Sequence, residues 1–186
     1  MKTKIISFYL FLFLGASTFI LHAQNANVFT SKNFKISFYS KTPVEDINAE
    51  SKVVTCILIK NTKTLLFQVP IRTFKFPISM MEEHFNESYL ESDKFPTAKF
   101  KGTLLDSVNY ALDGNYPVRV QGVLSMHGVD KPRTIKGIIH INKGIVSLES
   151  AFNVACVDHK VEIPKIVFAK ISEVIQVTVE GSFVSK

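Results

Sequence analysis

The sequence predicts an all-β domain with one short helix, a sandwich or a closed antiparallel barrel of about eight strands. Three observations lead there. Apolar residues alternate with polar ones in about eight segments joined by short turns, the period-two pattern of half-buried strands. One segment, "SMMEEHFNESYLES" (Ser79 to Ser92), instead places Met81, Phe85 and Tyr89 four apart, the spacing of a helix face. No internal repeat or low-complexity linker interrupts the 186 residues, so one domain accounts for the length. Closure has a physical motive, because it removes unpaired sheet edges.

The chain opens with Lys2 and Lys4, an apolar run from Ile5 to Leu21, and Leu21-His22-Ala23 before Gln24. This is the pattern of a secretory signal peptide over residues 1–23, cleaved after Ala23 to leave residues 24–186 as the folded domain. An uncleaved anchor is the alternative, since the run approaches spanning length. Phe34, Ile36 and Phe38 then alternate with Lys35, Ser37 and Tyr39. Val54, Cys56 and Leu58 lie between Val53, Thr55, Ile57 and Ile59, a strand apolar on both faces. Asn61-Thr62-Lys63 turns the chain, and Leu65, Phe67, Val69 and Ile71 return.

In the helical segment, Ser79 is the expected N-cap, with Glu82 completing a capping box. Glu82 and Glu83 suit the positive end of the helix dipole, and Pro77 and Pro96 bound the segment. In "SYLESDKFPTAKFKGTLL", Pro96 disfavours helical geometry at Phe95 and makes a corner there. From Thr97, the residues Ala98, Phe100, Gly102 and Leu104 share one face, with Gly102 marking a bend or close approach. Further strands follow at Val118, Val120, Leu124 and Met126, at Ile135, Ile139 and Ile141, and at Val146, Leu148 and Phe152. Pro164 makes Val157 to Lys170 an irregular connection, and Ile175, Val177 and Val179 lead the last strand to Phe183.

The formal charge of +6 loses two units with Lys2 and Lys4, and the remaining Lys and Arg are scattered. That excludes a nucleic-acid stripe and leaves at most transient attraction to an anionic membrane. Cys56 and Cys156 are open to two readings, a disulfide or two buried thiols. There is no CxxC, HExxH, GxGxxG, P-loop or GxSxG, so metal, nucleotide and serine-hydrolase chemistry have no motif. His84 sits beside Glu83 without a nucleophile and is assigned to packing or capping; an envelope enzyme built on that pair is the rival. If residues 127 and 132 face each other across a hairpin, His140 faces Arg119, which disfavours a His127–His140 metal pair. His159 falls in the irregular connection and receives no role.

Two stretches, "MEEHFNESYLESDKFPTAKFKGT" and "VQGVLSMHGVDKPRTIKG", together resemble the YceI-like family. They match its helix, Phe-Pro-Thr corner and strand, then its His-Gly-Val-x-Lys-Pro hairpin. The family helix usually opens Arg-Asp-Glu-His-Leu; here Met81, Glu82, Glu83, His84 and Phe85 stand there, keeping Glu83 and His84. "ESKVVTCILIKNTKTLL" replaces a hairpin that is Gly-rich in the family. The resemblance implies an antiparallel eight-stranded lipocalin-like β-barrel. It implies a periplasmic or secreted binding protein, with neither enzymatic activity nor cofactor. The ligand would be a long-chain isoprenoid or other lipid: a polyisoprenoid, an isoprenoid quinone or a fatty-acyl lipid. Strand parity supplies the candidate lining: Phe34, Ile36, Phe38, Leu58, Leu65, Phe67, Val69, Phe100, Val120, Leu124, Met126, Ile139, Leu148, Val177 and Val179, with Cys56 and Ala98 on the same faces. Parity alone fits a packed core as well as a tube; the resemblance favours the tube. A filled barrel serving as a structural or interaction module is the alternative, and a homodimer is left open.

Overall fold

The computed structural model describes residues 27–164 and 169–185, so the expected signal peptide lies outside it. Among the described residues ten strands form: β1 (Val28–Ser31), β2 (Lys35–Lys41), β3 (Asp46–Ser51), β4 (Thr55–Ile59), β5 (Thr64–Pro70), β6 (Thr97–Leu104), β7 (Gly114–Met126), β8 (Val129–Asn142), β9 (Ile145–Ala155) and β10 (Val174–Ser185). Eight of them close an antiparallel ring in the order β1-β4-β5-β6-β7-β8-β9-β10, with β10 pairing back to β1. The long strand β10 serves two neighbours. Its C-terminal end pairs β1 through Phe183↔Ser31, and its N-terminal half pairs β2 through Val177↔Phe38. The β2–β3 hairpin extends the wall at that end, where Glu50 bridges Lys75.

The expected barrel forms, with two strands the alternation did not reveal. Strand β1 has four residues, too few to display a period, and "DINAES" in β3 offers only Ile47 and Ala49 as apolar positions. Both are held by pairing with longer strands. The glycine expected at a close approach is one of a pair: Gly102 lies directly opposite Gly122. A Cβ on Gly102 would lie 2.8 Å from the Gln121 carbonyl oxygen, and one on Gly122 would lie 2.6 Å from the Gly102 Cα. Two missing side chains let β6 and β7 fold closely over each other.

The β7–β8 hairpin differs from the expected register. Its turn is His127-Gly128, both at positive φ (51° and 69°), and Met126 pairs with Val129. That is the primed two-residue geometry that matches strand twist. His140 therefore faces Asn115, and Arg119 faces Lys136. Hydrogen-bonded and open pairs alternate from the turn. This places the ring nitrogens of Pro117 and Pro132 away from the shared ladder, on stretches where β6 and β9 no longer pair.

Helix α1 (Ser79–His84) widens into a π-helical stretch at Phe85–Tyr89. The expected capping box is not made. Ile78 is the N-cap, no side chain caps it, and Ser79 lies inside the helix. Glu82 does reach back, but to the Phe76 N–H at 3.3 Å and to Lys75 Nζ at 2.6 Å, tying the helix to the strand-like approach. These bonds pull the Glu82 carboxyl below its usual pKa, Lys75 foremost. The helix stops short of Ser92. Glu91 turns into the left-handed region (φ 43°), and the Ser92 N–H reaches the Asn86 carbonyl at 2.7 Å.

The Phe-Pro corner then docks on the hairpin turn. The Phe95 ring lies edge-on to His127 at 4.7 Å and covers Gly128, where an added Cβ would be 2.6 Å from Phe95 Cε1. His127 holds the corner from both ring nitrogens: Nδ1 contacts the His159 carbonyl at 2.9 Å and Nε2 contacts Glu91 at 2.8 Å. The two stretches that carry the family resemblance are thus in contact with each other.

Candidate functional site

The barrel interior divides into a packed end and a hollow end. At the packed end, Phe34 stands edge-on to Phe67 (5.4 Å) and Phe183 (4.8 Å), while Phe29 meets Tyr110 at 5.6 Å. Burial pushes the Tyr110 hydroxyl pKa up to about 12. Toward the helix end a cavity of about 580 Å³ opens, within the range of ligand pockets.

Twelve of the fifteen parity-derived residues line that cavity: Ile36, Phe38, Leu65, Phe67, Val69, Phe100, Val120, Leu124, Met126, Leu148, Val177 and Val179, and Ala98 joins them. Phe34, Leu58 and Ile139 are corrections. They sit in the packed core instead, as does Cys56, and Leu58 and Cys56 have no exposed surface. Parity decides which face a residue takes and says nothing about its height along the barrel axis, where the packed end gives way to the hollow.

The wall includes groups that strand parity did not supply. Phe74 and Phe76 follow a single 3₁₀ turn at Ile71–Thr73, and Phe85 comes from the helical segment. With Phe38 they form one aromatic cluster at the mouth: Phe38–Phe85 stack at 5.4 Å, Phe38–Phe74 meet at 5.5 Å and Phe76–Phe85 at 5.1 Å. The signal was present in "TFKFPIS", where two Phe flank a Lys. Met80, Met81 and Tyr89 complete the helical roof.

Polar side chains are a minority of the lining, and the two serines among them are engaged. Buried Ser40 accepts the Ser172 N–H at 2.8 Å, and Ser150 donates to the Lys136 carbonyl at 2.6 Å. Glu45 and Lys170 pair at 3.9 Å beside the lining and exposed His84 stands next to Phe85 of the aromatic cluster, while Lys99 and Lys136 belong to the strand wall. The arrangement suits a molecule with a long apolar body and a polar end left near the mouth.

Both cysteines are free thiols, Cys56 in the core and Cys156 on the cavity wall. Burial raises both thiol pKa values, with Glu173 adding to the rise at Cys156. Among the described residues no three His, Cys, Asp or Glu side chains cluster to hold a metal ion. His127 closes the β7–β8 turn near the mouth, while His140 lies near the far end of β8, on Asn115 at 2.7 Å. His159, in the connection the sequence leaves without a role, is fully buried. Its Nδ1 faces the Met126 and Val129 carbonyls at 3.3 and 3.2 Å, and burial depresses its pKa.

A family model for the YceI-like domain matches residues 19–183. Solved structures share the fold. One is a polyisoprenoid binding domain from Saccharophagus degradans implicated in plant cell wall breakdown, with TM-score 0.74, 11% identity, and coverage of 87% of this chain and 99% of that one. Another is Burkholderia cenocepacia BcnA, with TM-score 0.68, 11% identity, and coverage of 82% and 96%. The Campylobacter jejuni YCEI protein gives TM-score 0.58 at 14% identity, covering 73% and 82%. No curated protein sequence matches the chain.

Proposed function

This chain belongs to the YceI-like domain family, and from that premise we propose that it is an exported binding protein for an elongated apolar molecule. The ligand class is a polyisoprenoid, an isoprenoid quinone or a fatty-acyl lipid. The observation that carries the reading is the cavity inside the closed ring, whose lining is predominantly aliphatic and aromatic. A barrel filled by its own side chains, the interaction-module alternative, would have no such hollow. The polyisoprenoid binding named for the Saccharophagus domain supports the same ligand class.

The mechanism is sequestration. Each methylene moved from water into the cavity contributes about 0.8 kcal/mol. Ten of them supply about 8 kcal/mol against association costs of about 4 kcal/mol or more. The polar end stays by Glu45, Lys170 and His84, because the deeper hydroxyls of Ser40 and Ser150 are already bonded. Every step is binding and release, so no bond is made or broken. Residues 1–23 act as the export signal, cleaved after Ala23. Among the described residues no helix is long and apolar enough to cross a membrane.

Titration with an apolar, environment-sensitive fluorophore tests the reading. Saturable uptake at one site, displaced by an isoprenoid alcohol, is expected. No uptake by delipidated, folded protein would refute it.

A further inference from the structure

Among the long strands β7 to β10, neighbours are joined by full backbone ladders except between β8 and β9. Strands β8 and β9 pair from Ile138↔Glu149 to Asn142↔Ile145, and the ladder stops there. Yet β8 continues back to Val129 and β9 continues on to Ala155. Each keeps its outer partner over that length, β8 with β7 from Met126↔Val129 onward and β9 with β10 through Ala155↔Val174. The two strands part from each other while remaining in the sheet.

Side chains span the gap instead. Ser150 Oγ donates to the Lys136 carbonyl at 2.6 Å. Higher up, Arg133 donates to the Asn153 carbonyl at 2.7 Å and to Asp158 at 2.8 Å. A side-chain bond can break without unzipping its neighbours, whereas a ladder opens cooperatively. The cavity reaches this seam from both sides, with Ile135 and Gly137 on β8 and Ser150, Phe152 and Val154 on β9 in its wall. Pro132 lies on the parted stretch with its nitrogen toward β9, where it has no N–H to offer a ladder.

We infer that the β8–β9 seam is a lateral portal, through which an apolar chain longer than the cavity passes out of the barrel. This rests on the lipid-binding reading above and narrows the ligand to chains that overhang the hollow. The polar end stays at the mouth, the middle fills the cavity, and the remainder leaves between Lys136 and Arg133.

Closing the seam tests the inference. Continuing the β8–β9 register puts Thr134 opposite Asn153, both exposed and outside the cavity wall. Thr134→Cys and Asn153→Cys, in a Cys156→Ser background, are joined by a disulfide or, where the strands stand too far apart, by a short bis-maleimide. Decanoic acid and octadecenoic acid are then titrated by displacement of the apolar fluorophore, before and after bridging. A buried methylene is worth about fourfold in affinity, so lost burial of only two exceeds tenfold. The expected result is octadecenoic acid weakened at least about tenfold and decanoic acid changed less than about twofold. Unchanged affinity for octadecenoic acid, or equal weakening of both acids, overturns the portal. Failure of both acids to bind before bridging overturns the lipid-binding reading itself, and is seen separately.

Discussion

Replacing Gly128 by alanine tests the contact that joins the Phe-Pro corner to the β7–β8 turn. Two penalties combine there. The residue sits at φ 69°, where an L side chain is disfavoured by about 1–2 kcal/mol. Its new Cβ would also lie 2.6 Å from Phe95 Cε1 and 3.1 Å from Cζ, forcing the ring off its seat. Displacing a packed ring in this way costs about 1–3 kcal/mol. Gly144 supplies the control, since it has φ 75° and nothing within 4 Å of an added Cβ. Gly144→Ala therefore reports the backbone penalty alone. Urea denaturation of both variants should show Gly128→Ala about 2–5 kcal/mol less stable than the parent, and Gly144→Ala about 1–2 kcal/mol. The difference is the worth of the Phe95 seat. Equal losses in the two variants would refute the claim that this corner is held by the ring.

Further consequences follow from the cavity and the buried groups. Val177→Trp, on the cavity wall, adds bulk equal to about three methylenes and should weaken fluorophore binding by about 2.4 kcal/mol, roughly 50-fold, with the unfolding midpoint little changed. Cys56 should resist maleimide until the protein unfolds, while Cys156 should react slowly and be shielded by a bound apolar chain, read by mass of the labelled peptides. His159 is held neutral by burial, so its folded pKa lies below the unfolded value near 6.5. The unfolded state then binds more protons as pH falls. Its contribution is present above about pH 6.5 and is lost as pH falls from there to the depressed folded value. Urea midpoints across that window should fall more steeply for the parent than for His159→Asn.

Some elements were legible because their signals are local. Alternation located β2 and β4 to β10, and the spacing of Met81, Phe85 and Tyr89 located the helix. Gly102 was readable as a close approach, though its partner Gly122 was not, because which glycines meet depends on the register between β6 and β7. The β7–β8 register is not legible for a related reason. Whether His127-Gly128 turns in two residues or more is settled by two positive φ values, which the composition permits without requiring. The N-cap failed differently: Ser79 and Glu82 have the right spacing, but Lys75 and the Phe76 N–H compete for the Glu82 carboxylate. For the site, parity gives the face but not the depth along the axis, so it does not separate Phe34, Leu58 and Ile139 from the cavity wall. The buried His159 could not be read at all, since it is enclosed by strands about thirty residues away.

The most direct test of the central claim is mass spectrometry of the organic extract from protein purified under native conditions, with the intact complex weighed in parallel. The account predicts an apolar long-chain molecule bound at about one per chain and released on unfolding. A folded protein whose native mass equals that of the bare chain, whose extract is empty and which takes up no apolar fluorophore, would contradict it.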